Sequence, residues 1–174
     1  MYSVTIIVLA AVLFESNLSR IRYLERDTSK KSVVEYFATI NPDAELVEAI
    51  REVFTVREAI VHNHVWIALI DWDKGNIPKF VKRPIFHEGY GDKRFREVLD
   101  RETLCSRRLT LNLVPSRIWR HDVYIVLKIV GEALRSQKSK DPACIGLIEG
   151  RLFKFKNQTF TFNQIIAALG AEET

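Results

Sequence analysis

The stretch Thr55-Val-Arg-Glu-Ala-Ile-Val-His-Asn-His-Val-Trp66 sets an arginine, two of the chain's four histidines and an asparagine in a frame of apolar residues. Val56, Ala59, Ile60, Val61, Val65 and Trp66 predict a helix that buries much of its surface. Charged groups in such a helix need partners, because an unpaired charge in an apolar setting is costly. Arg57 in particular asks for an anion. At about 100° per residue, Arg57 and His62 stand roughly 140° apart, while Arg57 and His64 nearly eclipse at i, i+7. Both histidines can line one wide cleft. Thr55 and Glu58 have capping-box spacing, which predicts a helix start at Val56 with Arg57 in its first turn, where free N–H groups and the positive dipole end favour an anion. The alternative is one bent helix from Asp43 to Trp72. A histidine on an apolar helix is more often a hydrogen-bonded core or interface residue than a catalyst; what favours function here is the co-occurrence on one short segment.

Upstream, helices follow in close succession. The apolar run Val4 to Phe14 continues through Leu18, Ile21 and Leu24 at helical spacing, predicting one long helix from about Thr5 to Arg26 that Asp27-Thr-Ser-Lys-Lys31 breaks. No Lys or Arg precedes the run, Glu15 follows it and no small-residue cleavage site is present, which argues against an export signal. It also falls short of the about 20 residues a bilayer span needs, so the expectation is a buried core helix, a cytoplasmic chain and no membrane partner. Ser32 and Glu35 form a second capping box ahead of Val33, Val34, Phe37 and Ile40. Asn41-Pro42-Asp43 then ends that helix and opens the next, with Asn as cap and Pro in the first turn.

Downstream, Gly75, Pro78, Pro84, Gly89 and Gly91 loosen the pattern, and only Lys93 to Leu104 reads as helical before Pro115-Ser116 introduces a last main helix, His121 to about Leu134. Residues 74–115 form a long basic insertion in which Lys79, Lys82, Arg83, Lys93, Arg94, Arg96, Arg107 and Arg108 interleave with Phe80, Phe86, Tyr90 and Phe95. Such mixtures hold phosphate backbones and stack bases, although aromatics that merely anchor a loop beneath wet charges are the commoner case. The strings Leu152-Phe-Lys-Phe-Lys156 and Thr159-Phe-Thr-Phe162, with Asn157-Gln158 between them, predict a β-hairpin, and Asn163 to Leu169 a short closing helix.

The fold class is therefore mainly α: a bundle of four to five helices over residues 1–140, interrupted by the basic insertion, with a hairpin-and-helix appendage at 141–174 packed on it. At 174 residues and 47% apolar content, one core is within reach. Charge is uneven, with 16 Lys/Arg against 7 Asp/Glu in residues 74–140, but 7 against 11 in 1–73 and 3 against 4 in 141–174. A basic middle segment points to a polyanionic partner, most simply nucleic acid. Cys105 and Cys144 form no CxxC, so neither a zinc site nor a disulfide framework is implied, which fits a reducing compartment.

No Walker A loop, GxGxxG, HExxH or GxSxG occurs. His62 and His64, two residues apart on a helix, diverge too far to chelate one metal, and Asp71 and Asp73 read as capping or solvent-exposed. The expectation is no metal and no cofactor. RNA cleavage needs neither when the 2′-OH attacks its own phosphate: a neutral imidazole takes the proton, a second acid protonates the leaving oxygen, and a guanidinium holds the added charge. Arg57 with His62 or His64 supplies these parts. Arg117, Arg120 and His121, at the entrance of the last helix, either meet the Arg57 cluster as substrate-positioning groups or cap the end of the bundle.

The string Arg57-Glu-Ala-Ile-Val-His62-Asn63, in an all-helical setting with Phe14-Glu15 and Leu18 on a long first helix, resembles the signature of HEPN domains, an Arg followed after four to six residues by His. The resemblance covers about residues 5–70 and 116–136. It implies a homodimer whose motif helices share one composite cleft, and metal-independent endoribonuclease activity of the kind used by toxins or in phage defence, with an antitoxin or inhibitor protein as a further partner. Other members have lost catalysis and serve as interaction or RNA-binding and nucleotide-binding modules. By resemblance Arg57 and His62 are the active pair, with Asn63 beside them; His64 also satisfies the spacing. Glu58 departs from the small polar residue common after the Arg, and the capping box is what turns it away from a phosphate.

Overall fold

The computed structural model describes residues 2–62, 66–67, 70–71, 79–80, 85–86, 93–100, 102–141 and 150–171. The chain is mainly helical, as the apolar periodicity predicts. Among the described residues, α1 (Tyr2–Leu24), α2 (Val33–Ile40), α3 (Ala44–His62) and α5 (Arg120–Ser136) build the bundle, with the short α4 (Lys93–Val98) and the terminal α6 (Phe162–Gly170) added to it.

The core follows from stripe spacing. Ile7, Ala10, Ala11, Phe14, Leu18 and Ile21 fall on one face of α1 and are buried, facing Ile50, Val53, Val56 and Ala59 of α3 and Val123, Val126, Val130 and Ala133 of α5. Phe14 lies at the centre, edge-on to Phe37 at 5.1 Å and to Phe54 at 6.1 Å between ring centroids. The other face of α1 is not core. Tyr2, Ile6, Leu9, Val12 and Leu13 are exposed, and the helix, at 23 residues, is long and apolar enough to cross a membrane by length and composition. One face of α1 is therefore core, as expected, while its other face is apolar and exposed.

Local chemistry fixes the helix ends. Arg26 turns left-handed after α1, and Arg22 reaches back to gather the linker, donating from Nε to Asp27 and from its terminal nitrogens to the carbonyls of Ser29 and Lys31. The expected capping box opens α2: Ser32 Oγ accepts from Glu35 N–H, and Glu35 Oε2 accepts from Ser32 N–H at 2.7 Å. The cap of α3 is Asp43, which accepts from Glu45 and Leu46 N–H. Asn41, expected in that role, instead closes α2 and donates to Ser136 Oγ at 2.7 Å, and Pro42 lies outside the helix.

The second corrected start is Thr55. It lies inside α3, fully buried, with its hydroxyl donating to the Arg51 carbonyl at 2.8 Å. That is the back-bond a threonine makes in mid-helix. The helix ends at His62, short of Trp72, and Trp66–Ile67 and Ile70–Asp71 are strands (β1, β2). They pair antiparallel with Ile85–Phe86 (β4) and Lys79–Phe80 (β3), so that Trp66 opposes Phe86 and Ile70 opposes Phe80. The helix expected from Lys93 to Leu104 stops at Val98.

Two buried carboxylates then hold the strap from 99 to 119. Glu52 on α3 accepts from the N–H groups of Arg108 and Leu109, and Asp122 on α5 accepts from those of Asn112 and Trp119. At the far end of the bundle Arg20 pairs with Asp141 and Lys140 with Glu25. The hairpin is as expected, Phe153–Phe155 (β5) against Gln158–Phe160 (β6), with Lys156 and Asn157 both left-handed as a tight right-twisting turn requires. A capping box of Thr161 and Gln164 opens α6, which lies on α5.

Candidate functional site

Three elements meet around a cavity of about 530 Å³. The rhythm of α1 brings Glu15, Ser19 and Arg22 to one wall at i, i+4, i+7, and α3 supplies Arg51, Phe54, Arg57 and Glu58 on the facing wall. Lys31 to Glu35, the cap and first turn of α2, complete it. Four cations and three carboxylates thus surround the space.

They are not equally available. Arg22 is spent on the linker and stacks over the Tyr36 ring at 5.1 Å. Glu35 is committed to Ser32, and the backbone N–H it accepts holds its carboxyl below the usual range. Arg57 has its Nη2 3.8 Å from Glu15 Oε2, too far for a hydrogen bond, and its Nε is buried with no acceptor. Arg51 is similar, with Nε 3.4 Å from Glu48 Oε2 and no hydrogen bond formed. Lys31 is exposed and joins no ion pair with another described residue.

The helix start beside Arg57 is that of α2, not the one expected at Val56. Val33 and Val34 hold the first two positions of α2, where N–H groups lack an acceptor within the helix. Arg57 itself sits toward the C-terminal end of α3, so its own helix offers no positive pole to an anion.

His62 is the last residue of α3 and is exposed; it does not line the cavity, as its 140° offset from Arg57 requires. Asn63 and His64 lie outside the described residues, as do most of 74–92 and Cys144. Arg117 is exposed in a single turn of 3₁₀ helix, Arg120 donates to the Ala168 carbonyl at the end of α6, and exposed His121 has its ring 6.5 Å from that of Tyr124. None of the three lines the cavity. Of the alternatives for this cluster, Arg120 follows the structural one.

Ser19, Arg22, Arg51 and Phe54 are cavity residues the sequence reading did not name, and Glu15 and Lys31 were named without a role in a site. The signal for the α1 wall was the i, i+4, i+7 polar row about 100° round the helix from the buried stripe. No protein-family model matches the chain, and comparison with curated proteins and with solved structures finds no match either.

Proposed function

We propose that the chain is a cytoplasmic, HEPN-like, metal-independent endoribonuclease of the toxin or phage-defence kind, acting as a homodimer. The observation that carries this reading is Arg57, a guanidinium in a cavity wall with a buried donor unmet, five residues before an exposed histidine on the same helix. In the reaction a neutral imidazole of His62 or His64 takes the proton of a ribose 2′-OH. The 2′-oxygen bonds to phosphorus, the bond to the 5′-oxygen breaks, and a protonated imidazole gives that oxygen its proton, leaving a 2′,3′-cyclic phosphate. Arg57 holds the charge on the five-coordinate phosphorus.

Because Arg57 and His62 point apart on one helix, the reading requires a second copy to set one chain's arginine opposite the other's histidine. An antitoxin or inhibitor protein would bind over that cleft. The test is cleavage of RNA in excess EDTA with analysis of the product ends. Arg57→Ala and His62→Ala are expected to abolish it, and cleavage equal to the unaltered protein would overturn the proposal.

A second reading, a non-catalytic RNA-binding or nucleotide-binding module, is favoured by one specific feature: Glu15 partners Arg57 while His62 stays outside the cavity. Under it the unaltered protein binds RNA without cutting, and His62→Ala binds equally well.

A further inference from the structure

The lining of the α1–α2–α3 cavity carries more donors than the chain satisfies. The Nε atoms of Arg51 and Arg57 are shut off from water without an acceptor, although each guanidinium has a carboxylate in ion-pair range. Neither guanidinium makes a side-chain hydrogen bond to another described residue, so both keep donor capacity for an anion in the cavity that they line. Lys31 stands at the rim with its ammonium unpaired among the described residues. We propose that this cavity is a binding site for a phosphomonoester dianion, carried either at the end of an oligonucleotide or by a free mononucleotide.

Size, charge and geometry support that ligand class. A volume of about 530 Å³ falls within the roughly 300–1,000 Å³ typical of small-molecule sites. With Arg22 paired to Asp27, the remaining Lys31, Arg51 and Arg57 balance Glu15, Glu35 and Glu58, and the start of α2 adds about half a positive charge. A terminal phosphate brings nearly two negative charges and three non-bridging oxygens, enough to accept from Arg51, Arg57 and Lys31 together. A phosphodiester within a strand brings one charge and two free oxygens. Planar guanidinium forks side by side on the α3 wall give a phosphate charge-assisted hydrogen bonds with defined direction. Glu15, 3.8 Å from Arg57, is the internal competitor for a dianion at that guanidinium.

The site shares Arg57 with the proposed ribonuclease but does not depend on cleavage. The experiment uses an uncleavable 2′-O-methyl oligonucleotide, dye-labelled at its 3′ end, with either a 5′-phosphate or a 5′-hydroxyl, followed by fluorescence anisotropy. In a second arm adenosine 5′-monophosphate is compared with adenosine by calorimetry.

The phosphate is expected to tighten binding by about tenfold in at least one arm, and Arg51→Gln and Lys31→Gln each to remove most of that gain. A gain in the oligonucleotide arm alone identifies a strand end as the source; a gain for the mononucleotide that the oligonucleotide does not exceed identifies a free nucleotide. His62→Ala, which disables the cleavage reading, keeps the phosphate preference. Equal binding of phosphorylated and unphosphorylated ligands in both arms, or a preference unchanged in Arg51→Gln and Lys31→Gln, overturns the proposal.

Discussion

Replacing Glu15 by Gln separates a ligand-binding arginine from a structural one. The two charges stand 3.8 Å apart, with the Arg57 side chain 24% and the Glu15 side chain 42% exposed. At that distance attraction is about 1 kcal/mol in a water-like dielectric and about 4 kcal/mol at an effective dielectric constant of 20. Partial exposure places the pair near the lower figure, in line with the about 0–1 kcal/mol measured for open ion pairs. Glu15→Gln keeps size and one acceptor oxygen while removing the charge that competes with a bound anion. Affinity for a phosphomonoester should therefore rise, by up to about fivefold for a 1 kcal/mol competitor. Calorimetry with adenosine 5′-monophosphate reads this directly, and the double variant Glu15→Gln/Arg57→Gln should show no gain. Unchanged or weaker binding by Glu15→Gln alone would mean that Arg57 serves α1–α3 docking and donates nothing to a ligand.

Glu52→Ala strands two part-buried backbone N–H donors, those of Arg108 and Leu109, at an expected cost of about 1–2 kcal/mol in denaturant unfolding, with amide exchange quickening first around 106–111. Glu25 has its carboxyl held low by its hydrogen bond from Lys140 and then by that from Tyr36. Its stabilisation is therefore complete above the ordinary carboxylate range and fades as pH falls through the lowered value, so Glu25→Gln should flatten the acid limb of the stability curve. Tyr36, pushed up to about 12 by burial and then by the Glu25 carboxylate, contributes below pH about 10 and loses that contribution as pH climbs toward its raised value; absorbance titration should find one tyrosine ionising after the others. Gly131→Val drives a side chain into the Phe162 ring, only 3.1 Å from where a Cβ would stand, so limited proteolysis should release the segment after 141 while α1–α5 stays resistant.

The elements most legible in the sequence are those whose ends are fixed locally. Ser32 with Glu35 and Thr161 with Gln164 cap helices because the segments before them cannot supply carbonyls to the first N–H groups. Thr55 with Glu58 has the same spacing and caps nothing. There the apolar stripe of Leu46, Ile50 and Val53 runs through Thr55 without a break, so every N–H already has its carbonyl four residues back and the threonine hydroxyl turns to Arg51. A capping pattern carries information only where the preceding turn is absent. The strands at 66–86 were hidden for a related reason: Val65, Trp66, Ile67 and Ile70 satisfy a buried helix and a short buried strand alike, and periodicity over so few residues does not separate them.

The site was legible one residue at a time and not as an assembly. Arg57 stood out because it interrupts an apolar face, but its neighbours come from 35 to 42 residues upstream on α1 and from the start of α2, and nothing local ties Glu15 or Lys31 to it. Arg120 illustrates the opposite error. A cation in the first turn of α5 faces the positive end of its own helix and is destabilised there, so its guanidinium swings outward to the terminal carbonyls of α6, where the dipole is negative and Ala168 accepts. The same electrostatics that drew attention to an arginine at a helix entrance thus assigns it to holding the appendage. Arg57, whose charged partner among the described residues is a half-exposed glutamate at 3.8 Å, keeps bonding capacity for a ligand.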